Sequence, residues 1–349
     1  MLWVSRRMVK MLEGRVLGNP SKCGTPILVV SCDKYSDLWR PFFEIFWKRW
    51  PDCPYPVYLG SNFKTYQDER VTPITIGDDI SWTSGVRQML RHINAEYFIL
   101  FLEDFLIKQR VNTEAVDRLV RVARERQLGC LRLSPLPPPT PLPAQPIADL
   151  PDLGVVLPGD AYRVSTQPAV WRISTLQRLL LPGFSAWEFE SIGSQLSSYM
   201  PDVFWGPYQF AIVYDHGVEK GKWKPQGLSI CRQAGVEVDL DERSAFSEHE
   251  LQTHNMARKK GSKQYEMKST AIKHFLDGQR LQGFWLGLHY LRTNPIRLQS
   301  WAILLFGLLG SRSISWLQKQ HLRLKVVKAR WKDNRMRANR STATSRCKS

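Results

Sequence analysis

The run Tyr97 to Leu102, Tyr-Phe-Ile-Leu-Phe-Leu, continued by Glu103-Asp104-Phe105-Leu106-Ile107, constrains the fold more than any other stretch. Six apolar or aromatic residues without a break make a strand's length, and an unbroken run suits a strand buried on both faces, as in a parallel sheet. Two carboxylates inside so apolar a segment are costly unless they stand at the strand's end with a partner. The ends of parallel strands are where α/β folds bind ligands, and a hard cation holding a diphosphate is a suitable partner. The other reading of Glu103 and Asp104 is that they mark where the strand meets solvent.

Strands and helices alternate on either side of this run. Pro26 to Ser31 is an apolar, β-branched strand running into Cys32-Asp33-Lys34-Tyr35-Ser36-Asp37, and an aromatic-rich helix follows over Leu38–Trp50 with Ser36 or Asp37 as cap. Val57–Gly60 and Val71–Ile76 read as strands, Gly77-Asp78-Asp79 as a turn, and a helix from Gly85 to Ile93, capped by Ser81 or Thr83, feeds the central strand. Val111-Asn112-Thr113 opens a helix with Val116, Leu119, Val120 and Ala123 on one face and Gly129 at its end. Cys130–Ser134 is a strand. The seven prolines between Pro135 and Pro146 read as an extended surface loop. Tyr162–Trp171 reads as extended, and Ile173–Leu181 as a short helix. Ser185 and Glu188 stand in capping-box spacing at the next helix start. This alternation predicts an α/β layered domain.

The net charge of +17 is unevenly placed. Residues 1–255 carry 28 Lys and Arg against 29 Asp and Glu, whereas 256–318 carry 10 against 2 and 319–349 carry 11 against 1. A near-neutral body therefore joins a strongly basic last third, which points to an anionic membrane surface or nucleic acid, or to a solvated tail. Two apolar segments, around Phe284–Leu291 and Trp301–Leu309, lie within it, flanked by Arg292, Arg297 and Arg312. Each is shorter than the ~20 residues that span a bilayer. Either they lie in a membrane interface or they are ordinary core helices. The six cysteines form no CxxC pair, so a reducing compartment is expected. The first 24 residues carry no secretory signal pattern.

With the order of motifs in hand, residues 25–224 resemble a GT-A-type glycosyltransferase domain of a bacterial kind. The points of likeness are the first strand ending in Ser31-Cys32-Asp33-Lys34-Tyr35, the Trp82–Ile93 helix feeding Tyr97–Leu102, and the acidic pair. Gln167-Pro168-Ala169-Val170-Trp171-Arg172, Trp187-Glu188-Phe189-Glu190 and Gly221-Lys222-Trp223 complete them. The resemblance implies a Rossmann-like, mostly parallel sheet flanked by helices, with a basic helical C-terminal extension. It implies a nucleotide-sugar donor bound by Ser31, Asp33, Tyr35, Asp79, Glu103 and Asp104, with Asp104 the ligand of a Mn or Mg ion. The family's usual motif is Asp-any-Asp; here it is Glu103-Asp104-Phe105, so a metal-free site is the alternative. Glu188 or Glu190 is implied as the base that deprotonates the acceptor; a capping role for Glu188 and a solvated helix position for Glu190 are the plainer readings. Arg163 and Arg172 meet phosphate, acceptor or a surface carboxylate, Trp82 packs in the core or stacks on the nucleotide, and His216 sits in a turn, the resemblance offering a late metal-ligand His as the other reading.

The expected organisation is an extension over 1–24, the transferase domain over 25–235, a polar linker over 236–270, a basic helical segment over 271–335 and a disordered tail over 336–349. The acceptor implied is a glycan or lipid-linked molecule of the cell envelope, which places the protein in the cytoplasm or at the inner face of the plasma membrane. GxSxG, P-loop, GxGxxG and HExxH patterns are absent from the sequence. A nucleic-acid-binding role is disfavoured by the neutral body, where aromatics and basic residues do not interleave. A non-catalytic transferase-like domain is the third alternative.

Overall fold

The computed structural model describes residues 24–79, 81–135, 145–296 and 298–346. Most of the extension expected over 1–24 and most of the proline-rich loop fall outside these residues. Two compact units are present, one of Met1–Ala245 with Ala329–Ser349 and one of Phe246–Lys328.

The first unit is built on a nine-stranded mixed sheet. In chain order its strands are β1 (Ile27–Val30), β2 (Val57–Ser61), β3 (Val71–Thr75), β4 (Tyr97–Leu102), β6 (Cys130–Arg132), β7 (Gln145–Ile147), β8 (Leu150–Val155), β9 (Ala169–Arg172) and β10 (Phe204–Pro207). Their order across the sheet is β3-β2-β1-β4-β9-β6-β10-β8-β7. The β3-β2-β1-β4 half is parallel throughout. β9 is inserted antiparallel between β4 and β6, so the far half is mixed rather than parallel. Pro73 cannot donate a ladder bond, and it lies in β3 at the sheet's edge. Two small ribbons stand apart, β5 (Phe105–Ile107) with β11 (Tyr214–His216), and β12 (Val218–Glu219) with β13 (Lys222–Trp223).

Helices α1 (Trp39–Arg49), α2 (Trp82–Met89), α3 (Thr113–Glu125), α4 (Ile173–Leu179), α5 (Ala186–Ser197) and α6 (Pro225–Gln233) belong to this unit. The aromatics of α1 explain its seat: Phe42 and Phe46 pack edge-on against Phe101 of β4, which makes that strand's unbroken apolar run necessary. The first loop tightens into a 3-10 turn over Asp33–Leu38, and neither Ser36 nor Asp37 caps α1. α2 starts earlier than expected, with Ser81 as its cap. Asn112 caps α3 by accepting from the Ala115 amide at 3.1 Å. That helix ends at Glu125, before Gly129, with Gln127 adopting φ +51°. Gly129 serves packing instead, since a Cβ there would stand 2.8 Å from Asp202 Cβ.

The second unit holds α7 (Glu248–Leu276), α8 (Arg280–Thr293), α9 (Leu298–Leu308) and the first part of α10 (Ser311–Arg346) around Phe275, Tyr290, Ile303 and Ile314. Much of the stretch expected as a polar linker over 236–270 is thus helical. Its helix start is a capping box, Ser247 with Glu250, and the helix rests on packing with α8 through its distal end rather than on a visible period. The 336–349 stretch, expected as a disordered tail, continues α10 to Arg346; 347–349 lie outside the described residues. Among the described residues no helix is long and apolar enough to cross a membrane.

Candidate active site at the strand switch point

Strand order reverses between β1 and β4: from β1 the chain moves to β2 and β3 on one side, and β4 lies on the other. In open α/β sheets the crevice at the carboxyl ends of such a pair is where ligands bind. β1 runs out there into Ser31–Tyr35, and β4 into Glu103-Asp104, the two-residue turn that leads to β5.

The two acids have different surroundings. Glu103 is buried, and burial together with the neighbouring Asp104 charge pushes its carboxyl up to about 8. A hydrogen bond from Ser31 pulls the other way without overcoming this. Asp104 reaches the surface, with Oδ2 3.6 Å from Nδ1 of His216. The β5-β11 ladder makes this meeting: His216 stands opposite Phe105, and the Gly217 amide donates to the Asp104 carbonyl at 2.7 Å. The expected turn at His216 is thus a strand end, and its ring belongs to the site. A three-residue strand of Tyr, Asp and His carries no alternation that marks it as a strand, which is why the turn is preferred for His216 over the metal-ligand reading.

The Asp33 carboxylate is engaged by the chain itself. Its oxygens accept from the amides of Asn62, Phe63 and Lys64 at 3.1 Å each, and its own amide donates to Asn62 Oδ1 at 3.1 Å. Asn62 Nδ2 also donates to the Gly77 carbonyl at 3.0 Å and to Asp79 at 2.9 Å. Asn62, absent from the sequence-derived candidates, ties together the loops after β1, β2 and β3. Asp79 is one of its anchors. Ser31 Oγ accepts from the Trp39 indole at 2.8 Å. The Tyr35 ring lies under the Arg243 guanidinium, 4.7 Å from its centroid, and burial raises its phenol pKa. Arg243 also holds Asp37 with two bonds of 2.6 and 2.7 Å.

On the other side of β4, register places Leu100 beside Ala169 and Ala169 beside Arg132. The residues before β9 therefore rise at the same end as Glu103. There Glu190 of α5 accepts from the Thr166 amide at 2.8 Å, the Thr166 hydroxyl at 2.9 Å and the Ser165 hydroxyl at 3.3 Å, all on Oε1. Oε2 carries no hydrogen bond among the described residues. Burial raises the Glu190 pKa, and the nearby His216 opposes that shift. Glu188 spends its carboxylate on the Ser185 amide and hydroxyl, both at 2.9 Å, in a complete capping box. Arg132 is 4% exposed, and desolvation pulls its guanidinium down to about 10. Tyr214 lies within range of its charge and of Asp104 and Glu190.

Two expected contributors stand elsewhere. Arg163 donates to the Val156 and Asp202 carbonyls and lies 4.2 Å over the Phe204 ring. Arg172 pairs with Glu96 at 2.9 Å, at the opposite end of β9 from the site. Trp82 packs on Phe189, centroids 5.1 Å apart.

A divalent cation at a diphosphate needs oxygen or imidazole donors. Among the described residues no group of three or more His, Cys, Asp and Glu side chains forms a cation cage. Asp104 and His216 supply one carboxylate and one ring nitrogen, a set that fits a cation completed by substrate phosphates and water.

No family model matches the chain, and no curated protein matches it. Among solved structures it is similar to S. aureus TarS, with a TM-score of 0.39 and 13% identity, over 90% of this chain and 54% of that one. The chain thus spans about half the length of that protein.

Proposed function

We propose that the α/β unit is a GT-A-like glycosyltransferase that moves a sugar from a nucleoside-diphosphate donor to a hydroxyl of a cell-envelope glycan or lipid-linked acceptor. The observation that carries this reading is the meeting of Asp104 with His216 at the β1/β4 switch point. In this reading the loops tied by Asn62 seat the nucleotide, and Asp33 and Asp79 act by fixing those loops. Asp104 and His216 would hold Mg or Mn. Such an ion supplies charge neutralisation at the leaving diphosphate. Arg132 contributes a second, fixed cation at the same end of the sheet.

Glu190 takes the proton from the acceptor hydroxyl. The acceptor oxygen forms its bond to the anomeric carbon as the bond from that carbon to the diphosphate oxygen breaks, with the electron pair leaving on the diphosphate. Oε1 is held by Ser165 and Thr166, which orients Oε2 for this task. Glu188 is left to the helix cap.

The test is a thermal-shift panel of UDP, GDP, CDP and dTDP with and without manganese, followed by transfer or hydrolysis assays on the matching nucleotide sugars. Stabilisation follows mass action, so a nucleotide at about 100 times its Kd adds about 2.7 kcal/mol. The expected result is one preferred nucleotide whose shift Asp104→Asn removes together with turnover. Binding without turnover would assign a non-catalytic domain, and no shift with any nucleotide would end the proposal.

A further inference from the structure

We propose that the second unit docks on an anionic lipid bilayer through the outer face of α9, lying in the interface without crossing it. The inference is independent of the transfer reaction. α9 reads Leu-Gln-Ser-Trp-Ala-Ile-Leu-Leu-Phe-Gly-Leu, apolar on every side, and such a helix is ordinarily buried all round. Here only one side is. Ser300, Ile303, Leu304 and Gly307 are buried, and the approach is close. A Cβ on Gly307 would stand 2.4 Å from the Phe275 ring, and one on Gly287 would stand 2.9 Å from Leu304. The unit's own core is complete with that inner face.

The outer face is left to solvent. Leu298, Trp301, Leu305 and Leu308 recur at spacings of three and four, which keeps them within about 100° of helix circumference. Leu298 is 86% exposed and Leu305 59%. Ile296, at the turn into α9, and Trp285 on α8 are exposed as well. The Trp301 indole donates to the Pro295 carbonyl at 3.0 Å, so its polar edge is satisfied while its ring stays outside. At ~1.5 Å per residue α9 is about half as long as a hydrocarbon core is thick. A Trp among leucines on a helix of this length suits the boundary between headgroups and acyl chains.

Charge selects the partner. No Asp or Glu occurs from 278 to 332, whereas ten Lys and Arg do. A second copy of the chain would bring two such basic units together, which repel. A nucleic acid would satisfy the charge and leave the leucines of α9 in water. An anionic bilayer meets both requirements, apolar surface for the leucines and phosphates for the exposed Arg292 and Arg312 that flank α9 in the sequence.

The experiment is co-sedimentation of the full chain with vesicles of phosphatidylcholine alone and of phosphatidylcholine mixed with phosphatidylglycerol. The expected result is binding to the mixed vesicles, weakened by salt, and weakened roughly tenfold or more by Trp301→Glu with Leu305→Glu. Both positions are exposed, so circular dichroism and the urea transition of that variant should match wild type. Arg292→Glu with Arg312→Glu, also exposed, gives a second and independent loss. Failure to bind the mixed vesicles overturns the proposal. So does binding that survives both pairs of substitutions, or a wild-type dimer that the first pair dissociates while lipid binding is absent. Binding to single-stranded DNA in place of vesicles would assign the basic surface to nucleic acid and overturn it too.

Discussion

Replacing Arg243 with methionine keeps much of the side chain's bulk and removes its charge. Arg243 Nε and Nη2 hold the two Asp37 oxygens at 2.6 and 2.7 Å, Nη2 reaches the Lys34 carbonyl at 3.1 Å, and Nη1 reaches the Gly221 carbonyl at 3.0 Å. The residue is 8% exposed. Removing one partner of a buried pair leaves an uncompensated charge and costs ~3–5 kcal/mol. The Tyr35 contact adds ~0.5–2 kcal/mol. The two carbonyls regain water once the loop loosens, so their bonds add little beyond this. About 4 kcal/mol is expected for Arg243→Met in urea unfolding of the full chain. Asp37→Asn combined with Arg243→Met should cost less than the sum of the single changes, by roughly 2 kcal/mol, because the stranded carboxylate is gone. Arg243→Lys keeps the charge but not the fork, and falls between wild type and Arg243→Met. A loss below about 1 kcal/mol with an unchanged urea slope would refute the reasoning, because it would mean that water reaches the pair. Tyr35 and Lys34 belong to the loop proposed to seat the donor, so the same substitution should raise the donor KM more than it lowers kcat.

Three further outcomes are expected. Glu190→Gln should lower turnover ~10²–10⁴-fold in a transfer assay, whereas Glu188→Gln keeps an acceptor at N3 of the capping box and should leave turnover and stability near normal; the reverse pattern would exchange their roles. Because burial raises the Glu190 pKa, the base loses its charge as pH falls through a value above that of an ordinary glutamate. The acid limb of kcat should sit correspondingly high, and stability should decline as pH rises from the unfolded-state value through the folded one, a decline that Glu190→Gln removes from Tm measured against pH. Gly227→Ala would place a Cβ 2.5 Å from the Gly217 backbone, costing ~1–3 kcal/mol in urea unfolding and disturbing the strand end that presents His216, so transfer activity should fall with it.

What could be read in the sequence is what local pattern determines. β4 was legible because a strand buried on both faces has no polar residue to interrupt it. The apolar face of α3 was legible from helical spacing, and the start of α5 from a capping box whose partners lie three residues apart. The antiparallel insertion of β9 between β4 and β6 was not legible, because pairing partners leave no mark in the four residues of β9. The same holds for Asp33 with Asn62, 29 residues apart, and Asp37 with Arg243, 206 apart. An aspartate in a loop looks alike whether it waits for a ligand or is already closed over by backbone amides, as Asp33 is. In the 236–270 stretch, polar composition hid a helix whose support comes from packing on α8.

The division of labour at the site follows from asking which charges the fold itself consumes. Asp33 is consumed by three backbone amides, Glu188 by a cap, Arg163 by two carbonyls and Arg243 by Asp37. Glu103 cannot carry a charge cheaply where it stands, since burial and Asp104 both oppose ionisation. Among the described residues, the groups that structure does not use up are Asp104 with His216, one oxygen of Glu190, and the remaining N–H groups of Arg132, whose bond to the Tyr162 carbonyl occupies only one nitrogen. They come from the turn after β4, from β11, α5 and β6, elements far apart in the chain, and they meet at one end of the large sheet. Displacement at a sugar diphosphate needs this inventory: two donors for a cation, a fixed positive charge and a carboxylate for the acceptor proton. In the proposed reading Asp104 and His216, which face each other at 3.6 Å, are the cation donors, and Glu190 is the base, held through Oε1 by Ser165 and Thr166 with Oε2 free of hydrogen bonds among the described residues.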